Sequence, residues 1–152
     1  MKKLAISLLP LFLLAGSACH KEAPAPTPPP VTAPPTTAPA PVSVASVTLG
    51  SAIGSDKRVA ASKDVFGVKD TIFASVETTG TGHAKLRALW SFVKGTKTAK
   101  VDESLIEFDS AAPATNEFHI SKPSGWPKGD YKVDVFLGET DAPAATKTFK
   151  VS

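Results

Sequence analysis

Gly129-Asp130-Tyr131-Lys132-Val133-Asp134-Val135-Phe136-Leu137 is the stretch on which the fold turns. Tyr131, Val133, Val135 and Leu137 alternate with Lys132 and Asp134, a period of two sustained over one strand length. Successive side chains of a strand point to opposite faces, so this segment has one face for a core and one for solvent. Gly129 before it and Gly138 after it supply the breaks.

The same period recurs outward in both directions. Toward the C-terminus, residues 146–151 set Phe149 and Val151 on one face. Upstream, residues 117–121 point Phe118 and Ile120 inward, and residues 85–93 alternate Leu86, Ala88, Trp90 and Phe92 against Arg87 and Ser91. Residues 70–78 bring Ile72, Ala74 and Val76 together, and residues 44–53 do the same with Val47 and Leu49. Residues 101–108 are less regular, because Leu105 and Ile106 are adjacent, and read as one or two short strands around an edge. Phe66-Gly67 reads as a turn or plug, and Gly80-Thr81-Gly82 and Gly95-Thr96 as turns. No stretch after Val44 holds a helical period over three turns. The expectation is an all-β domain of roughly seven strands, spaced as in an antiparallel sandwich of about 100 residues.

Two features make this pattern similar to a known family. Trp90, in the middle of its strand, resembles the core tryptophan of immunoglobulin-like domains, and residues 129–135 resemble their tyrosine corner. The run Trp126-Pro127-x-Gly-x-Tyr-x-Val-x-Val-x-Leu, closed by Phe149-x-Val151, is similar to bacterial extracytoplasmic immunoglobulin-like domains. The resemblance implies a fold and names no ligand. It departs from antibody-type domains in having no bridging cysteines, since the one cysteine of the chain is Cys19. The core must then rest on Trp90, Tyr131 and aliphatic packing, each buried side chain contributing about 1.5–3 kcal/mol.

The N-terminus decides the address. Lys2 and Lys3 precede an apolar run at 4–14, and Gly16-Ser17-Ala18 lead to Cys19, the order of a secretory leader. A membrane-spanning helix needs about 20 apolar residues, and this run is shorter and interrupted by Pro10. Leu13-Leu14-Ala15-Gly16-Ser17-Ala18-Cys19 resembles the lipobox of bacterial lipoproteins, although the family prefers leucine where Gly16 stands. The resemblance implies cleavage before Cys19 and attachment of palmitate-like acyl chains there, several of which together give stable anchoring. An ordinary secretory signal cut beside Ala18 or Ala23 is the alternative. In diderm lipoproteins aspartate after the cysteine commonly marks inner-membrane retention. His20 stands there instead, which points to the outer membrane.

Loss of residues 1–18 removes Lys2 and Lys3 and no acid, so the formal charge falls from +3 to +1. Without a basic cluster in the remainder, nucleic acid is not an expected partner. Nine prolines between Pro24 and Pro41, interleaved with alanine and threonine, favour extended polyproline II over a packed core. At about 3.1 Å per residue such a tether reaches some tens of ångströms. The expected division is a leader at 1–18, a lipidated N-terminus with a Pro/Ala/Thr-rich linker at 19–43, and a sandwich at 44–152.

Candidates for chemistry are few. His20 adjoins the anchor, His83 lies in a glycine-rich turn and His119 faces solvent between Phe118 and Ile120; none has a second histidine at ligand spacing. Gly80-Thr81-Gly82 lacks the residues that complete a phosphate loop. Asp102, Glu103, Glu107 and Asp109 supply oxygens that calcium would want, without EF-hand spacing. No catalytic constellation, metal or cofactor is expected. Trp126, between Gly125 and Pro127, either caps the sandwich or stands exposed, and with Phe136 it forms the possible binding surface. The expected function is a lipid-anchored envelope protein presenting a non-catalytic binding or structural module to a protein or glycan partner. The alternatives are a regulator or inhibitor of an envelope enzyme such as a protease, acting through loops 54–61 or 122–129, and a carbohydrate-binding module using Trp126 and Phe136.

Overall fold

The structure, a computed structural model, describes residues 40–152. The leader at 1–18, Cys19 and the linker before residue 40 lie outside the described residues. Eight strands follow in order: β1 (Ser43–Gly50), β2 (Val65–Phe66), β3 (Ile72–Thr79), β4 (Thr81–Lys94), β5 (Lys97–Ala111), β6 (Ala114–Ile120), β7 (Gly129–Leu137) and β8 (Ala145–Val151). They form a three-stranded sheet in the order β1-β3-β6 and a five-stranded sheet in the order β2-β8-β7-β4-β5. All pairings are antiparallel except that of β2 with β8. The domain is an all-β immunoglobulin-like sandwich.

The period of two explains which face each strand buries. Ile72, Ala74 and Val76 on β3, Leu86, Ala88 and Trp90 on β4, and Val133 and Val135 on β7 are fully buried in one core. Val47 and Leu49 of β1, Phe118 and Ile120 of β6, and Phe149 and Val151 of β8 complete it. Phe149 is its hub, stacked on Tyr131 at 5.3 Å and meeting Trp90 and Phe66 edge-on at 5.9 and 5.5 Å. Offset and edge-on pairs of this kind add to the stabilisation that burial alone gives.

Three expectations are corrected. The eighth strand is β2, where the supposed plug runs parallel to β8 and Phe66 is buried. Residues 97–111 form one long edge strand rather than one or two short ones. Its register shifts where Trp90 pairs with Asp102 and Ser91 with Lys100, so Val101 is a bulged residue. Ile106 packs on the core while Leu105 is 52% exposed. Finally, Gly80-Thr81-Gly82 is a corner between two nearly continuous strands, with His83 inside β4 rather than in a turn.

Gly80 makes that corner possible. Its φ of 86° lies in the left-handed region, and a Cβ there would run into the Pro41 carbonyl. Thr81 N–H donates to the Ala40 carbonyl at 3.0 Å, so residues 40–42 are held against the corner although the sequence assigns them to the linker. Gly80→Ala should therefore destabilise the domain by more than the roughly 1–2 kcal/mol of a left-handed alanine. It should also speed amide exchange at Thr81. Native-like exchange at Thr81 together with unchanged stability would refute this account.

Candidate functional site

The two ends of the sandwich differ. The chain enters at Ser43, beside the β3–β4 corner, the β5–β6 connection and the β7–β8 connection. The opposite end carries the loop from 51 to 71, the β4–β5 turn at Gly95-Thr96 and the β6–β7 loop at 121–128.

Trp126 closes this second end from inside. Its backbone N–H donates to the Val68 carbonyl at 2.7 Å, and its indole Nε1 donates to the Asp70 carbonyl at 2.9 Å. The ring meets Tyr131 edge-on at 6.2 Å and is only 6% exposed. Tyr131 in turn donates its hydroxyl to the Pro127 carbonyl at 2.7 Å. This is the tyrosine corner the sequence resembles, and burial raises the Tyr131 pKa, keeping the donating proton in place. Gly125, at φ 89°, makes the turn that delivers Trp126.

Asp70 fixes the other side of the cap. Its carboxylate accepts from Gly67 N–H at 2.9 Å and from Lys63 Nζ at 3.0 Å. The backbone bond and then the ammonium hold its pKa below the ordinary carboxylate value. A lowered folded-state pKa means that the stabilisation is present above the unfolded value, near about 3.9, and is lost as pH falls through the folded one. Asp70→Asn should cost about 1 kcal/mol at pH 7 and flatten the acid limb of stability below about pH 4. Urea midpoints at pH 7 and pH 3 measure this. Parallel losses in variant and wild type on acidification would contradict it.

Phe136 lies on the outer face of the five-stranded sheet and is likewise no free anchor. It is 6% exposed because the Arg87 guanidinium, on the neighbouring strand β4, covers its ring at 3.9 Å. The surface expected of Trp126 and Phe136 is thus not presented. One side chain is inside the cap, and the other is under an arginine on a different part of the molecule.

The acidic residues do not gather either. His83 meets Asp109 at 3.1 Å, Lys85 reaches Glu107 at 3.1 Å and Glu139 at 2.7 Å, and Arg87 reaches Glu103 at 3.1 Å. This ladder gives Glu103, Glu107 and Glu139 a lysine or arginine partner and Asp109 an imidazole. The Glu139 carboxylate raises the Lys85 pKa, while Lys85 lowers that of Glu139. Lys100 and then Arg87 lower that of Glu103. No group of three His, Cys, Asp or Glu that could hold a metal occurs among the described residues, which leaves the calcium alternative without a site. His119 pairs with Glu117 at 2.8 Å on the solvent side of β6.

Of the two candidate loops, 122–129 is tied down through Trp126. The other projects as a small cross-braced hairpin. Ile53 pairs with Val59, Gly54 N–H donates to the Arg58 carbonyl at 2.9 Å, and Lys57 sits near the tip at φ 61°.

A feature the sequence did not reveal lies beside the cap. β5 and β6, the terminal strands of the two sheets, meet on one side of the sandwich. There a cleft of about 290 Å³ opens, lined by Lys100, Val101, Lys122, Trp126 and Tyr131. A second hollow of about 370 Å³ adjoins it and shares Val101, Lys122 and Trp126, with Asp102 and His119 on its rim. The irregularity visible in the sequence, at Leu105-Ile106, lies several residues from the bulge at Val101 and does not mark it.

No protein-family model matches the chain, and no curated protein matches it in sequence. Among solved structures it is similar to an immunoglobulin-like protein from Pseudomonas aeruginosa, with a TM-score of 0.51 and 17% identity over 74% of this chain and 98% of that one. It is also similar to a β-glucosidase from Listeria innocua, with a TM-score of 0.48 and 10% identity. A β-glucosidase of intestinal bacteria involved in saponin metabolism gives a TM-score of 0.44 and 17% identity. The match covers 74% of this chain in both cases, and it spans 16% of each enzyme's length. The first likeness is one of fold, and it agrees with the sandwich described above.

Proposed function

We propose that this chain is a lipid-anchored protein of the bacterial cell envelope, held through Cys19 in the outer membrane, whose proline-rich tether presents the sandwich as a non-catalytic binding or structural module. The observation that supports this reading most is how the domain uses its ionisable side chains. On the five-stranded sheet His83, Lys85 and Arg87 are each matched to a carboxylate, whereas catalysis needs a nucleophile or metal, a base and an orienting group converging on one point. Ala40 is bonded to Thr81 at the end of the sandwich where β1 begins, so the domain's N-terminal attachment is at that end. The anchor is tested by Cys19→Ala, which should abolish metabolic labelling with palmitate and move the chain from the membrane to the soluble fraction. Undiminished labelling would overturn the lipoprotein reading.

A second reading, regulation of an envelope protease by loop insertion, is favoured by the braced hairpin around Lys57, since a preorganised loop loses little entropy on binding. Inhibition of an envelope protease extract, lost on Lys57→Ala, would establish it. A carbohydrate-binding module has less support, because both aromatic candidates are covered.

A further inference from the structure

The cleft at the junction of β5 and β6 combines three properties. Its floor is apolar, formed by Val101 and the edges of Trp126 and Tyr131. Its flanks are the outermost strands of both sheets, each without a strand neighbour on that side among the described residues, so unpaired backbone donors and acceptors face an incoming chain. Its lining carries two lysines and no carboxylate: Lys122, in no ion pair among the described residues, and Lys100, bonded to Glu103, with Asp102 on the adjoining hollow. Lys94, Lys97, Lys122 and Lys128 are exposed at this end and form no ion pair with a carboxylate among the described residues. Glu107, Asp109, Glu139 and Asp141 stand toward the end where β1 begins, and Asp102 and Asp130 are the exposed acids near the lysines.

We propose that this cleft is a docking site for an extended acidic segment of a partner protein, in which apolar residues alternate with Asp or Glu. The proposal rests on the binding-module reading and gives it a place. An added strand offers main-chain bonds to an open edge and directs alternate side chains to opposite sides. Apolar residues then meet the floor at Val101 and Trp126, and carboxylates meet Lys122 and, in exchange for Glu103, Lys100. The bulge at Val101 is the device that aims that side chain at the floor. A lipid phosphate would satisfy the lysines but use neither the floor nor the open strand edges.

The test is fluorescence anisotropy of a labelled Glu-Val-Glu-Val-Glu-Val peptide titrated with the full chain. Three controls accompany it: a Lys-Val peptide, hexaglutamate, and vesicles of phosphatidylglycerol. The Glu-Val peptide should bind, with affinity falling as salt is raised. The double substitution Lys100→Gln/Lys122→Gln should weaken it at least tenfold while the chain keeps a cooperative urea transition, and Lys147→Gln on exposed β8 leaves it unchanged. Equal binding of hexaglutamate, or binding indifferent to the double substitution, would overturn the proposal. So would vesicle binding that depends on Lys100 and Lys122 in the absence of peptide binding. If the double variant still cross-links to the same envelope partner as wild type, the site is wrong while the module reading stands.

Discussion

Replacing Trp126 with alanine is expected to cost about 3–5 kcal/mol of folding stability, a large share of the roughly 5–15 kcal/mol available to a domain of this kind. Three losses coincide. The indole leaves a cavity beneath the β6–β7 loop, and Tyr131 loses its edge-on partner. The Asp70 carbonyl loses the Nε1 donor that satisfied it. Trp126→Phe separates these effects, because it keeps most of the burial and removes only the donor, so about 1–2 kcal/mol should go. Urea unfolding followed through Trp90 reads both variants, with an unchanged slope showing that only stability has moved. A Trp126→Ala midpoint within error of wild type would mean that the side chain is not a cap, and the aromatic binding surface would return.

That case shows where the sequence was legible and where it was not. The alternation around Tyr131, Val133 and Val135 identified a half-buried strand because the needed information is local, and the same holds for Ile72, Ala74 and Val76. The tyrosine corner was legible for the same reason, since Tyr131 bonds a carbonyl only four residues upstream. Trp126 was ambiguous because its indole partner, the Asp70 carbonyl, is 56 residues away. Phe136 was read as a possible binding aromatic because Arg87, its cover from the next strand, arrives through sheet pairing that no local period encodes. β5 resisted reading because Val101 is bulged and Leu105 puts an apolar side chain on the solvent face, and each breaks the expected alternation. The cleft draws its flanks from residues about 20 positions apart, Lys100 and Lys122, so only the topology could show it.

The other large effect is expected at Trp90. It is fully buried on β4, between Asp102 of β5 and Val133 of β7, and meets Phe149 edge-on. Trp90→Ala should lose about 3–5 kcal/mol, toward the upper end, because a rigid sheet on either side cannot collapse into the cavity. No disulfide can hold the sheets together in its place, since the chain's one cysteine is Cys19. The variant should therefore unfold as a unit at a much lower urea concentration, with loss of strand signal in circular dichroism. Trp90→Phe should be milder, at about 1–2 kcal/mol. Phenylalanine opens a smaller cavity and removes an indole Nε1 that is buried without a hydrogen-bond partner in the protein, a group whose burial itself costs about 1–3 kcal/mol. If Trp90→Phe were as damaging as Trp90→Ala, ring volume would not be what matters at this position. The core would then depend on a polar contact of the indole. An alanine variant that kept the wild-type midpoint would show that the sandwich closes without its central tryptophan.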